Sequence, residues 1–225
     1  MRIAILGAGR LGETIGRLWC KAGHEVRFGT RRPSESAALV ESLGAKASVG
    51  TPREAAEFGE VALLAVPLKA IPEIGRLLAQ PLQNKTVLDA SNPYPERDGA
   101  PAREALGEGR GSSKWTASKL PGARVVKAFN MQRFEALRSE AHRAGDLLAI
   151  ALAGDDFAAL AIAKRLVRDA GFGAVIVGSL EEGRAFDPGT RHYAKGVRAA
   201  DLRQDLGEHQ AAARMLNARG ALAFA

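Results

Sequence analysis

Cysteine is almost absent from the 225-residue chain, which has a single one, Cys20. No intrachain disulfide can form, and no Cys cluster exists to hold zinc or iron–sulfur. Aromatic residues make up only 5%, which is poor material for stacking nucleic-acid bases. Apolar runs are short. None approaches the roughly 20 residues needed to cross a bilayer, and Met1-Arg2-Ile3-Ala4-Ile5-Leu6 is broken by Gly7 too early for a signal peptide. G-x-S-x-G, a Walker loop and internal repeats are missing as well. The default compartment is therefore the cytoplasm.

What the chain does have is an ordinary globular composition, 46% apolar and 25% charged. At this length roughly 70% of the unfolded surface can be buried, so one domain with a small appendage needs no staples. The charge is +7. Basic residues are spread out, with no run of five, so small anionic ligands are favoured over nucleic acid or a membrane surface.

Hydrophobic periodicity then predicts alternation. A strand at Arg2–Leu6 leads through glycines to an amphipathic helix over 11–22, with Gly23 as its stop, and a strand at Glu25–Gly29 follows. A helix over Ser34–Leu43, a strand over Lys46–Val49 and a capping-box helix start at Thr51-Pro52-Arg53-Glu54 come next. Val61–Val66 is uniformly apolar, as a strand covered on both faces should be. A helix over Ile71–Leu78 and a strand over Thr86–Ala90 precede Ser91–Gly111, whose three prolines and several glycines read as a long surface loop. Ser112–Leu120 helix, Arg124–Ala128 strand, Phe134–Ala144 helix, Leu147–Ala153 strand, a helix from Asp155-Asp156 to Ala170 and an Ala174–Val177 strand complete the series. A last helix is expected near Leu202–Leu216.

Such alternation implies an α/β fold, a doubly wound, mostly parallel sheet over residues 1–178, with 179–225 a C-terminal extension. Ligands of these sheets lie beyond the strands' C-terminal ends. The first end carries Gly7-Ala8-Gly9-Arg10-Leu11-Gly12, a G-x-G-x-x-G in the strand–turn–helix context that gives it meaning. One glycine serves the tight turn, one admits a pyrophosphate and one lets helix and strand pack, so Gly7, Gly9, Arg10, Leu11 and Gly12 are candidate cofactor residues. The bland alternative is a glycine turn that only packs.

About twenty residues on, where an NAD site offers Asp or Glu to the ribose, the chain has Gly29-Thr30-Arg31-Arg32-Pro33. A hydroxyl and two guanidiniums suit a phosphate dianion. Thr30, Arg31 and Arg32 are therefore read as a 2′-phosphate pocket and the cofactor as NADP(H), against an exposed basic turn. Val66 and Pro67 offer an apolar wall for a nicotinamide, and Ser91 and Asn92 hydrogen bonds for its carboxamide or an acceptor. Asp89 is read as a structural cap. Phe129 and Met131 suit either an acceptor pocket or plain core.

No catalytic side chain stands out. His192 beside Tyr193 is one candidate proton-donor pair and Lys127 another. His24 reads as a satisfied surface histidine, His142 and His209 as helix residues without partners, and Cys20 as a small core residue.

These motifs, with Gly23-His24-Glu25-Val26, Asp89-Ala90-Ser91-Asn92-Pro93 and Val125-Val126-Lys127-Ala128-Phe129-Asn130, resemble the NADP oxidoreductase, coenzyme F-420-dependent family over residues 1 to about 182. The domain is also similar to the cytoplasmic reductase part of the STEAP metalloreductases. The family's phosphate-holding G-S-R-R maps onto Gly29, Thr30, Arg31 and Arg32, with Thr for Ser. The resemblance implies hydride transfer between NADPH and a deazaflavin or flavin (coenzyme F-420 among them), in a cleft closed by the C-terminal segment, in a homodimer. After Glu182 the stretch Arg184–Tyr193 departs from the deazaflavin reductases, which leaves the acceptor open. A carbonyl or imine reductase needing a proton donor, and an NADPH-sensing module without turnover, are the alternatives.

Overall fold

A computed structural model of the chain describes residues 1–107 and 111–206. Among them eight strands form one sheet in the order β3-β2-β1-β4-β5-β6-β7-β8. The strands are β1 (Arg2–Leu6), β2 (Glu25–Gly29), β3 (Ala47–Gly50), β4 (Val61–Leu64), β5 (Thr86–Asp89), β6 (Arg124–Lys127), β7 (Ala149–Gly154) and β8 (Gly173–Gly178). All neighbours run parallel except β6 and β7. The chain winds outward from β1 one way to β3 and then the other way from β4. The strand order therefore reverses between β1 and β4, where ligands of open α/β sheets bind.

Burial follows from the side-chain alternation of strands. In β1, Ile3 and Ile5 join one core with Trp19, Phe28 and Leu166, while Ala4 and Leu6 join a second with Leu64, Ile71 and Trp115. Strand β4 is fully buried, as its unbroken apolar run predicts. The first face is covered by α1 (Arg10–Lys21), whose Trp19 donates its indole N–H to Leu166 O at 2.8 Å. The two following helices are α2 (Ala37–Leu43), entered through a 3₁₀ turn over Pro33–Ser36, and α3 (Pro52–Phe58). The capping box at α3 is complete: Glu54 N–H donates to Thr51 Oγ1 at 3.2 Å and Thr51 N–H to Glu54 Oε2 at 2.7 Å. Helix α4 runs over Ile71–Leu82, past the expected end, because the chain absorbs Pro81 by a kink at Leu78.

The expected loop over 91–111 is corrected. It holds α5 (Pro95–Asp98) and α6 (Ala100–Gly107) ahead of α7 (Gly111–Lys119). Its prolines start helices instead of breaking them: Pro95 sits at a first helical position, where no N–H is needed. Asp98, buried, accepts the Tyr94 and Lys69 N–H groups at 3.1 and 3.4 Å. Helix α8 (Phe134–Glu140) is shorter than expected, and His142 lies beyond it in a turn with φ +56°, not on a helix.

Helix α9 (Phe157–Asp169) starts at Asp156, whose carboxylate accepts Ala159 N–H at 2.7 Å. After β8, a 3₁₀ segment (Leu180–Phe186) and α10 (Ala199–Leu206) press Phe186, Ala199 and Leu202 onto Ala151 and Val175 of β7 and β8. The remainder of the helix expected over 202–216, and His209, lie outside the described residues. Among the described residues no helix is long and apolar enough to cross a membrane.

His24 differs from its surface reading. It is buried, with Nε2 3.0 Å from Asp169 Oδ2, and burial outweighs that partner in lowering its pKa. Phe129 and Met131 resolve as core. Phe129 is fully buried between Trp19 and Phe172 in edge-to-face contacts with centroids 5.9 and 6.3 Å apart, and Met131 lies in the cluster beneath β7. Cys20 is a buried thiol on α1, raised in pKa by desolvation.

Candidate functional site

Two cavities open along the strand ends and meet at Gly9, Ala65, Val66 and Pro67. The first, of about 750 Å³, reaches Thr30 and Arg31; the second, of about 530 Å³, reaches Ser91, Asn92 and Tyr193. Their junction lies between the ends of β1 and β4, at the reversal of strand order.

The glycine loop shapes the junction. Gly7 has φ +111°, and a Cβ there would collide with the Ala65 carbonyl oxygen. A Cβ on Gly12 would collide with the Gly7 carbonyl oxygen, so any side chain would push α1 off the strand. Around Gly9 the space is open, with nothing within 4 Å of an added Cβ. Gly9 is also the N-cap of α1, whose first turn has no side-chain cap. Backbone donors and the helix dipole thus face open space, the arrangement that suits a pyrophosphate. Arg10 and Leu11 line the second cavity, and the Arg10 guanidinium lies 5.3 Å over the Phe134 ring.

At the far end of the first cavity Thr30 and Arg31 both line the wall. Arg32 does not. Its Nη1 is 2.9 Å from Glu35 Oε1, both side chains exposed, while its backbone N–H donates to Thr30 Oγ1 at 3.2 Å. Two cations that sequence reasoning missed, Arg53 and Lys69, line the same cavity. The parallel register pairs Gly29 with Gly50, so Thr51-Pro52-Arg53 sits beside Thr30 by construction. Reading the end of β3 as closely as that of β2 would have found Arg53.

In the second cavity Val66, Pro67, Ser91 and Asn92 come together as expected. Ser91 is 2% exposed and its Oγ has no partner. Gln132, another lining residue, is 4% exposed with an unpartnered Oε1. Buried polar atoms without partners are costly, so both are places for a ligand's hydrogen bonds. Asn92, by contrast, is committed. Its Nδ2 donates to Asn130 O at 2.9 Å and, at 3.5 Å, to the Tyr193 hydroxyl, while its Oδ1 accepts from Asn130 Nδ2 at 3.2 Å. Tyr193 and Tyr94 share a short hydroxyl–hydroxyl hydrogen bond. Burial first, and then Tyr94, push the Tyr193 phenol well above the ordinary tyrosine range.

The candidate donors fare differently. Lys127 is fully buried and bonded to Asp89 Oδ2 (3.1 Å), Ser91 O (2.6 Å) and Ser112 Oγ (3.0 Å), so its three protons are used inside the protein. Asp89 accepts Ser91 N–H as well, at 2.9 Å. The pair is a structural tie between β5 and β6. His192 is buried, accepts from Arg191 Nε at 2.9 Å, and is held low in pKa by burial and that guanidinium. It is not among the residues lining either cavity. Tyr193 alone of the three lines the site. Among the described residues no group of three or more His, Cys, Asp or Glu could hold a metal.

The comparisons agree with this geometry. Residues 2–93 match the family model described as NADP oxidoreductase coenzyme F420-dependent. The chain is 30% identical over 183 residues to Metalloreductase STEAP3 of Rattus norvegicus, covering 81% of this chain and 35% of that protein. It is 30% identical over 141 residues to the F420-dependent NADP reductase of Methanothermobacter marburgensis, covering 58% of this chain and 63% of the relative. The chain thus spans less than two thirds of either curated relative. Among solved structures, a hypothetical protein from Sinorhizobium meliloti is 25% identical with TM-score 0.77, over 88% of this chain and 94% of that one.

Proposed function

We propose that this chain, whose residues 2–93 carry an NADP oxidoreductase module, is an NADPH-dependent oxidoreductase that passes a hydride to a deazaflavin or flavin. The observation that carries the reading is the pair of joined cavities, with Thr30, Arg31 and Arg53 at one end and the orphaned Ser91 Oγ at the other. A dinucleotide fits that path. Gly7, Gly9 and Gly12 bring backbone donors to the pyrophosphate, Thr30 and Arg31 take the 2′-phosphate, Val66 and Pro67 form the wall for the nicotinamide, and Ser91 meets its carboxamide. Arg10 and Leu11 flank the junction, and Arg32 assists the phosphate site through its bond to Thr30. When bound, the reduced nicotinamide supplies the hydride. The protein's task is to hold the donor carbon and the acceptor atom, a ring carbon in a deazaflavin and a ring nitrogen in a flavin, about 3–3.5 Å apart. Residues 179–206 close the acceptor side, and the working unit is a cytoplasmic homodimer.

A screen of NADPH oxidation against coenzyme F-420, FMN, FAD, ferric chelates, cyclic imines and aldehydes tests the acceptor. Turnover with a deazaflavin or flavin is expected. Tyr193 favours a second reading, a carbonyl or imine reductase, because it is a hydroxyl donor lining the cavity; turnover only with imines or aldehydes would select it. Tight NADPH binding with no turnover at all would leave a sensing module.

A further inference from the structure

The two tyrosines at the acceptor end come from distant parts of the chain and meet over one cavity. Tyr94 stands on the loop after β5. Tyr193 is carried by a strap after β8, fastened at Asp187, which accepts Ser112 N–H and Oγ–H at 3.1 and 2.8 Å, and at Ala194, whose N–H donates to Met131 O at 2.7 Å. Two phenols bring two protons. One is spent in the hydrogen bond between them, and the Asn92 amide, a donor, spends none. One phenolic proton is therefore left for whatever occupies the cavity both residues line.

We propose that the Tyr94–Tyr193 pair, positioned by Asn92, donates this proton to the heteroatom of the acceptor that gains charge when the atom bonded or conjugated to it takes the hydride. The inference rests on the reading above that a reduced nicotinamide lies against Val66 and Pro67. It defines the acceptor as a molecule with a carbon–heteroatom double bond, isolated or conjugated through a ring, that lies between that wall and the phenols. As the acceptor atom takes the hydride, the electron pair of its double bond moves, through the ring where the system is conjugated, to the heteroatom that gains charge, and the phenolic proton bonds there. The phenoxide left behind takes the proton of its tyrosine neighbour, which is refilled from water. Asn92 stabilises the phenoxide through its amide N–H, a charge-assisted hydrogen bond. Burial keeps Tyr193 protonated through neutral pH, so it is present as a donor whenever the site is filled. Arg97, 4.8 Å over the Tyr94 ring, favours transient negative charge on the pair.

Tyr94 and Tyr193 are the chain's two tyrosines, so phenolate absorbance reports on this pair and nothing else. The wild-type protein is titrated by its absorbance near 295 nm, alone and with saturating NADP⁺ whose binding is confirmed by calorimetry. The positive charge of the oxidised ring in the same cavity should lower the first phenol ionisation by about one pH unit. Tyr94→Phe and Tyr193→Phe assign it. With the acceptor found in the screen, Tyr193→Phe should lower kcat by about 100-fold with unchanged NADPH affinity, and Tyr94→Phe should lower it less. NADP⁺ that binds without moving the phenol titration, or a Tyr193→Phe enzyme with undiminished kcat, overturns the inference and leaves the cofactor reading intact. Failure of NADP⁺ to bind overturns both.

Discussion

The two ends of the binding path are built in opposite ways. The end assigned to the nucleotide is made of short contiguous stretches, Gly7–Gly12 and Gly29–Arg31, and offers backbone amides, a helix start and a few cations. The end assigned to the acceptor is assembled from Ser91, Tyr94, Gln132 and Tyr193, drawn from three separate stretches of the chain and positioned by their own hydrogen bonds and by a buried ionic tie beneath. An anion cradle shared by all dinucleotides can be local in the chain. A surface shaped to one acceptor is put together from loops that the sheet brings close.

The largest effect is expected beneath the acceptor end. Lys127→Met strands the fully buried Asp89 carboxylate and should cost about 3–5 kcal/mol in denaturant unfolding. The double variant Asp89→Asn, Lys127→Met should recover most of that loss, and equal instability of single and double variants would deny that the pair is the tie. Next, Gly12→Ala places a methyl against the Gly7 carbonyl. It should weaken NADPH binding at least about 30-fold, equivalent to roughly 2 kcal/mol of overpacking, as read by fluorescence titration.

Changing Thr30 to Asp reinstates the carboxylate that reads a plain ribose. NADPH affinity should fall by about 10- to 100-fold while NADH affinity rises, and an unmoved ratio would show that the 2′-phosphate pocket is misplaced. The smallest effect separates neighbours. Arg31→Ala should weaken NADPH by about tenfold, whereas Arg32→Ala, whose guanidinium is engaged by Glu35 on the surface, should change affinity by less than about threefold. Competition of NADPH with a fluorescent analogue would resolve the difference.

This contrast also governs what could be read from the residues alone. Strand β4 and the glycine loop announce themselves through an unbroken apolar run and a fixed spacing, and Thr51–Glu54 through cap chemistry. Prolines misled, because Pro95 and Pro101 stand in the first turns of α5 and α6, where the missing N–H costs nothing. Lys127 looked like a proton donor until its three bonding partners appeared, all of them outside its own strand. Adjacent His192 and Tyr193 looked like a pair, yet in the strap they diverge, one towards Arg191 and the other into the cavity. Tyr94 carried no local pattern, and Arg53, legible only as part of a helix start, takes its place from the register that sets the end of β3 beside that of β2.

Isothermal titration of the wild-type protein with NADPH and with NADH tests the central claim most directly, because the two differ only at the group assigned to Thr30 and Arg31. The account predicts NADPH tighter by at least about tenfold, with the gap shrinking as salt is raised. Equal affinities would contradict it.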